Sequence, residues 1–529
     1  MKLTIPLSAL HRKVYLFGLV LLVCCLPLSK YVLSISQFLL VLNWLIEGNF
    51  RRKAGVILQK PALVLFASVF FLYVLGLLYS HNLNLGLAKI KNALPLLLLP
   101  LIIGTSQPLS NKHAKWLLLL FSGAVMIASL VCVIQYQAHG LPADGDFRKI
   151  SVFMLHIRFS LLIVMAIFIL LYLTFYDNYK SRFREKVTFF ISACLLITFL
   201  FFLRSFTGII IFVIMAMAFL LNMAIRNKRP VVRYALLMLV SGSLLALAAL
   251  SVYTYIRNFQ AEPVGISALE KLTANGNPYS HNTTTGILEN GYYIDIYLCE
   301  PELKQEWNKI SSIPYDRLDN KGQPISATIK RYLTSLGLRK DSAALSRLNA
   351  TDIQHIEKGL ANYKFHDDPG VYQRFYETLW EIHILARAGF VQQHSFGQRL
   401  AFLKIAYCAI SDNLLTGVGT GDVYDSMLAL SKVIIPAIDP LWEGKPHNQY
   451  AFFILAFGIF GFLWIVWCWL YPVTNTKTYH SLLFNLFAGI ILISMLTLDT
   501  LESYDNIVFF AFFYCLFVFG IQGPINNKA

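Results

Sequence analysis

The sequence predicts an all-α polytopic membrane protein, and three observations predict it. Of 529 residues, 57% are hydrophobic and only 14% are charged, with a mean hydropathy of +0.58. A soluble domain carries about a quarter charged residues. Apolar runs near the length of about 20 residues that crosses hydrocarbon recur along the chain, and lysines and arginines gather on alternate loops between them.

The predicted spans are 14–28, 31–46, 63–79, 93–104, 116–135, 152–176, 187–203, 208–222, 234–253, 449–471, 482–498 and 506–521. The fourth is short for a crossing, so it is tilted, re-entrant or extended at its start. The first run has no small-x-small exit and leads straight into the second, so it is expected to be a span and not a cleaved signal.

Orientation follows from the cations. Arg12 and Lys13 precede the first span; Arg51, Arg52, Lys53 and Lys60 follow the second; Lys112 and Lys115 follow the fourth. Lys180, Arg182, Arg184 and Lys186 follow the sixth, and Arg226, Lys228, Arg229 and Arg233 follow the eighth. That side is cytoplasmic by the positive-inside rule. Both termini then lie inside and 256–445 lies outside. Three regions follow: 1–255 with nine spans, a loop domain 256–445, and 446–529 with three spans. The net charge of +16 is mostly topological, and a nucleic-acid partner is not expected. Cys299 and Cys408 are the two cysteines of the outer loop and could pair in an oxidising compartment, but no Cys/His spacing suggests zinc.

At roughly 190 residues the outer loop is too long to stay structureless. Residues 258–323 are rich in Gly, Asn, Pro, Thr and Tyr and predict irregular or short extended structure. Helical spacing follows at 327–336, 341–363 and 371–393, the last with a packing stripe of Phe375, Leu379, Ile382 and Ala386. Ser395 to Gln398 has the form of a capping box that starts a helix through Ile410, with Leu400, Leu403, Tyr407 and Ile410 on its buried side. Arg399 sits in the first turn. A cation there opposes the helix dipole unless an anion such as phosphate meets it, or a nearby acid pairs with it. Gly417-Val-Gly-Thr-Gly421 lacks the spacing and the preceding strand of a nucleotide loop, and predicts a tight turn whose amides are candidates for an anion pocket.

His447, in Pro446-His447-Asn448-Gln449-Tyr450, opens the tenth span at headgroup level, with Asn448 as a candidate orienting amide. A lone histidine at such a place is most often an interface residue; here other polar groups share its side. These are His156 and Arg158 at the sixth span, Arg204 between the seventh and eighth, and Asp499 and Glu502 after the eleventh. Asp144-Gly-Asp146 has the spacing of a metal-binding pair, but the motif is short and common, and no metal or cofactor is expected.

These stretches resemble the O-antigen ligase and polymerase superfamily, membrane glycosyltransferases of GT-C-like architecture that use polyprenyl-diphosphate-linked glycans. Gln398-Arg399-Leu400 and Leu415 to Gly421 resemble the family's Arg-containing helix and its G-V-G-x-G turn; Pro446 to Tyr450 resembles its H-N-x signature; Asp499 to Glu502 resembles its acidic segment. The resemblance implies a large periplasmic loop between spans nine and ten. It also implies that Arg399 grips an undecaprenyl-diphosphate donor and that His447 assists the acceptor hydroxyl. Arg158, His156, Asn448, Gly417, Gly419, Asp499 and Glu502 are then substrate-side candidates. Arg204 is a weaker one, because Leu203-Arg204-Ser205-Phe206-Thr207-Gly208 places its arginine about two positions from the family's.

The chemistry this implies needs no metal. Arginines stabilise the departing diphosphate through paired donors, a neutral imidazole takes the hydroxyl proton, and one direct displacement inverts the anomeric centre. Lipid A–core is the first expectation for the acceptor, with a growing glycan chain (polymerase) or a protein hydroxyl (O-oligosaccharyltransferase) as alternatives; membrane lipids surround the site in the bacterial inner membrane. A polysaccharide flippase or transporter is the rival from another class, but no internal repeat is visible and the polar residues gather at one face. A receptor or scaffold is a further alternative.

Overall fold

In the computed structural model, residues 7–140, 147–176, 181–260, 265, 267, 269–365, 370–388, 395–434 and 444–521 are described. The chain is mostly helical. It runs α1 (Leu7–Cys25), α2 (Lys30–Ile46), α3 (Phe50–Gln59), α4 (Pro61–Leu77), α5 (Leu83–Ala93), α6 (Pro95–Thr105), α7 (Asn111–His139), α8 (His156–Phe175), α9 (Phe183–Phe202), α10 (Phe206–Arg226) and α11 (Pro230–Phe259). A two-stranded hairpin, β1 (Leu288–Glu289) and β2 (Tyr292–Tyr293), precedes α12 (Glu300–Ile310), α13 (Ile325–Ser335), α14 (Ser342–Leu345), α15 (Ala350–Glu357) and α16 (Val371–Ala388). Then come α17 (Ser395–Asp412), α18 (Val423–Ile434), α19 (Gln449–Asn475), α20 (Leu482–Ser494) and α21 (Tyr504–Cys515).

Among the described residues, seven helices are each long and apolar enough to cross a membrane, or eight if the bent pair α2 and α3 counts as one; α4, α20 and Tyr504–Gly520 are apolar but shorter. The fourth predicted span is extended at its start. Leu83–Thr105 forms one apolar stretch of 23 residues, interrupted where Pro95 removes a helical N–H.

The chain divides into two compact units. The first comprises Met1–Gly140, Phe147–Phe219 and Phe402–Ala529, the second Leu220–Ala401. In the first, α4 packs on α6 and α19, α6 on α21, and α8 on α7, α9 and α20. Every residue from Asp505 to Gly520 is buried. Stacked and edge-on rings, including Phe66 on Tyr514 at 4.2 Å, fill the space around that segment. By contrast α9 exposes Phe183, Ile191 and Leu195, apolar surface that needs hydrocarbon as its solvent.

In the second unit α11 is apolar yet almost entirely exposed, as a lipid-facing helix is. The residues after it fold around two cores. Trp307, Ile325, Ile329, Tyr332 and Leu333 anchor one; Phe259, Tyr376, Trp380 and Ile384 anchor the other. Each fully buried large apolar side chain contributes roughly 1.5–3 kcal/mol. Buried Glu289 joins them, accepting from Arg331 at 2.9 Å, Asn362 at 2.6 Å and Tyr376 at 3.0 Å. The Arg331 guanidinium in turn lies 3.5 Å over Trp380.

Several loop expectations are corrected. Residues 258–323 include α12, whose Pro at the first turn and acidic Glu300 and Glu302 are ordinary helix-start signals. The stretch 341–363 is not one helix: Asn349 and Asp352 make a capping box that starts α15 anew, and α15 ends at Glu357. The buried face of α16 is Tyr376, Trp380, His383 and Ile384, while Ile382 and Ala386 are exposed. The aromatic residues displace the aliphatic ones because their polar tips find partners inside, Trp380 Nε1 on the Leu288 carbonyl and Tyr376 on Glu289. On α17 the buried positions are Ala401, Phe402, Ile405, Ala406 and Ala409, and Tyr407 is exposed. Cys299 and Cys408 are free thiols. Asp144 and Asp146 lie outside the described residues.

Candidate active site

Helix α19 is broken at Gly458, whose φ of 66° and ψ of −178° suit glycine alone. The break strips carbonyls of their helical partners, and the Gly417–Gly421 turn supplies new ones. Val418 N–H donates to the Leu455 carbonyl at 2.8 Å and Gly419 N–H to that of Ala456 at 3.0 Å, while Ile459 N–H donates back to Leu414 at 2.8 Å. The turn also closes on α4: Thr420 N–H reaches the Gly76 carbonyl at 3.2 Å and Gly421 N–H the Ser80 hydroxyl at 3.0 Å. With Gly417 N–H on Asn413, each of the five amides is already donated within the protein. This geometry gives Gly417 and Gly419 a packing role and leaves no amide for an anion. A Cβ at either would sit within 2.5 Å of another residue's atoms.

The splice sets where α19 begins, and His447 stands just before it. His447 has a φ of 49°, in the left-handed region that non-glycine residues seldom occupy. Its half-exposed ring packs 5.3 Å from that of Phe402. Its Nδ1 is 3.9 Å from the Asp499 carboxylate, too long for a hydrogen bond but within the reach of charge. Asp499 also accepts the backbone N–H of His447 and, at 3.1 Å, that of Asn448. The Asn448 side chain does not orient the imidazole as the sequence suggested. It caps α19 by accepting from Ala451 at 2.9 Å and donates to Leu496 at 3.0 Å. Burial, then the nearby Glu502 charge, pushes the Asp499 carboxyl up to about 7, against the pull of Lys89.

Three carboxylates spaced along 499–505 tie this corner together. Glu502 is paired with Lys89 of α5, and Lys89 lies 4.3 Å over the Tyr424 ring and also meets its hydroxyl. Burial pushes Glu502 up, opposed by Lys89, Gln449 and Tyr424. Asp505 meets Arg158 at 3.3 Å and Lys30 at 4.0 Å. His156 is buried one half-turn before Arg158 on α8. Predicted residues from three separate stretches (His447 and Asn448, Arg158, and Asp499 with Glu502) are thus gathered on one segment.

Arg204 is placed on a different turn, between α9 and α10, again with a positive φ of 51°. The next residue, Ser205, donates to Ser160 of α8 at 3.0 Å. Arg399, in the second unit, is half-buried; burial lowers its guanidinium pKa while the Glu381 carboxylate opposes this.

Sequence reasoning missed Lys89, Tyr424 and Asp422. A lysine inside an apolar stretch long enough to span was the available signal for Lys89; the other two carried none. Asp422 accepts both backbone N–H groups of His81 and Asn82, at 2.7 and 2.8 Å, and is 3.1 Å from the His81 ring. These residues, with Asp425, Asn84 and Ser426, line an open polar cleft of about 810 Å³. Tyr424, between Asp422 and Asp425 in the chain, meets Lys89 of the Lys89–Glu502 pair.

Residues 351–466 match the family described as O-antigen ligase, a stretch that contains Arg399, the glycine turn and His447 and ends inside α19. No curated protein matches the chain.

Proposed function

We propose a function from one premise: this chain carries an O-antigen ligase domain at residues 351–466 and belongs with that superfamily of membrane proteins. In this reading it is an inverting, metal-independent glycosyltransferase. It moves a glycan from an undecaprenyl-diphosphate-linked donor to an acceptor hydroxyl, most concretely O-antigen to lipid A–core. It sits in the inner membrane with about twelve spans, both termini cytoplasmic and 256–445 periplasmic.

The observation that supports it is His447, in the left-handed region beside the buried Asp499 at the start of α19 and inside the matched stretch. Nδ1 is the nitrogen toward Asp499, and Nε2 is the nitrogen that takes the acceptor proton. The acceptor oxygen then bonds to the anomeric carbon, the bond from that carbon to the diphosphate oxygen breaks, and the diphosphate departs with the electron pair. Arg399 grips the diphosphate, with Arg158, Arg204 and His156 on the donor side. Asp499 stabilises the imidazolium, and Glu502 with Lys89 holds Asp499 in place. The glycines keep α19 broken and so position His447.

Transfer of radiolabelled glycan by the purified protein tests the enzyme reading, and a transporter yields no product. Glycan profiling of a deletion strain tests the acceptor. Loss of long-chain lipopolysaccharide supports ligation, single-repeat chains support polymerisation, and bare glycoproteins support protein transfer.

A further inference from the structure

Helices α2 and α3 meet at an elbow bent by 108°, made by Gly48 and Asn49, both with positive φ. Helix α3 is amphipathic in a way that suits the membrane interface and not a crossing. Phe50 and Leu58 are exposed along one edge with Arg51 exposed beside them, Arg52 is exposed on the other edge, and Lys53 turns inward. Lys53 pairs with Glu47 at 2.8 Å, donates to the Trp44 carbonyl at 2.6 Å and lies 4.5 Å over the Trp44 ring. The Glu47 charge is therefore already neutralised. Against the other edge of α3 is a pocket of about 240 Å³, whose polar lining is Arg52, Gln59, Lys60, Thr105, Ser106 and Gln107. Lys60 gives one proton to the Gly104 carbonyl at 3.0 Å; an ammonium has three. Arg12 reaches the pocket rim by donating to Gln107.

We propose that this pocket binds the phosphodiester headgroup of an anionic phospholipid. Arg52 and Lys60 supply the charge, and Gln59, Ser106 and Gln107 supply neutral donors. Val56 and Pro108 give the same pocket an apolar wall for the start of the acyl chains. A free phosphate shares the charge recognition, but it has no use for that apolar wall, which is why the lipid is the occupant. The bound headgroup pins the elbow, so α3 stays in the interface plane. This site is independent of the transferase reading, and its test does not use activity.

The test is the full chain in phosphatidylcholine nanodiscs, titrated with phosphatidylglycerol and followed by native mass spectrometry and thermal unfolding. Wild type should retain phosphatidylglycerol in preference to phosphatidylcholine and unfold at a higher temperature with it. Arg52→Gln with Lys60→Gln should weaken that retention more than ten-fold, and Arg52→Lys with Lys60→Arg should largely keep it. Arg52 is exposed, so Arg52→Gln alone, expected to weaken retention about five-fold, gives the answer if the double variant does not fold. Equal retention by wild type and Arg52→Gln would overturn the proposal. So would protection by millimolar inorganic phosphate equal to that by phosphatidylglycerol, which marks a free-anion site.

Discussion

At His447 the backbone conformation and the chemistry point the same way. A side chain held at positive φ against a buried carboxylate is costly to maintain by folding alone, and the proposed reaction gives that pairing with Asp499 a use. In the proposed reaction Asp499 keeps its proton below about pH 7 and lends the imidazole no charge; above it, the ionised carboxylate would stabilise the imidazolium formed when the hydroxyl proton is taken. Donor-saturated turnover should therefore rise with pH through 7. Asp499→Asn should cost about ten- to hundred-fold and remove that step from the profile; an unchanged profile detaches Asp499 from the reaction. His447→Ala should lose on the order of 10²-fold or more in turnover, with donor binding retained, and His447→Gln should be nearly as inactive. Equal loss of donor binding would make His447 a diphosphate ligand. Arg399→Ala should abolish transfer at normal abundance, and Lys should rescue poorly because it lacks the planar fork; near-normal transfer by the alanine variant takes Arg399 out of the site. The histidine and the arginine are candidates because of their neighbours in sequence. The pairing of Glu502 with Lys89 was not legible there, because it joins residues from α5 and the segment before α21.

At the scale of elements, the broken helix α19 and the glycine turn form one device. A turn was legible in Gly417–Gly421 from its composition, but its purpose was not. The carbonyls it satisfies belong to α19 and α4, and nothing local marks them as needing donors. Gly458→Ala would place a Cβ 2.1 Å from the Leu415 carbonyl oxygen at a φ that alanine resists. The expected cost is about 3 kcal/mol or more, read as a lower unfolding temperature in detergent together with lost transfer. Gly419→Ala should behave alike, since its Cβ would lie 2.7 Å from the Gly76 carbonyl oxygen. Wild-type stability in both variants would show that the splice carries no load.

At the scale of the whole molecule, the second unit holds a buried acid whose charge depends on folding. Burial opposes the Glu302 charge, but hydrogen bonds from Thr273, Asn277 and the Ser342 hydroxyl and amide pull its pKa down to about 2. Because the folded pKa lies below the unfolded one, this stability is present above about pH 4.5 and is lost as pH falls toward 2. Its size is on the order of 3 kcal/mol. Glu302→Gln should lower protection of residues 269–365 in hydrogen exchange at neutral pH and flatten its acid dependence. Transfer as a whole should survive excess EDTA. Strict need for a divalent ion, abolished by Asp144→Ala with Asp146→Ala, would overturn the metal-free reading.

What the sequence determined by itself is whatever depends on local composition: the apolar helices, the basic loops between them, the glycine turn and the His447 motif. Water, lipid and backbone impose those preferences residue by residue, so they survive without knowledge of the fold. Tertiary structure alone decided which partners the polar groups take. It put Asp499 beside His447, turned Asn448 from an orienting amide into a helix cap, consumed the amides of the glycine turn, and chose Tyr376 and Trp380 over Ile382 as the buried face of α16. The reason is the same each time. A buried polar atom must find its hydrogen bond wherever the packed chain brings one, and that place is set by contacts distant in sequence.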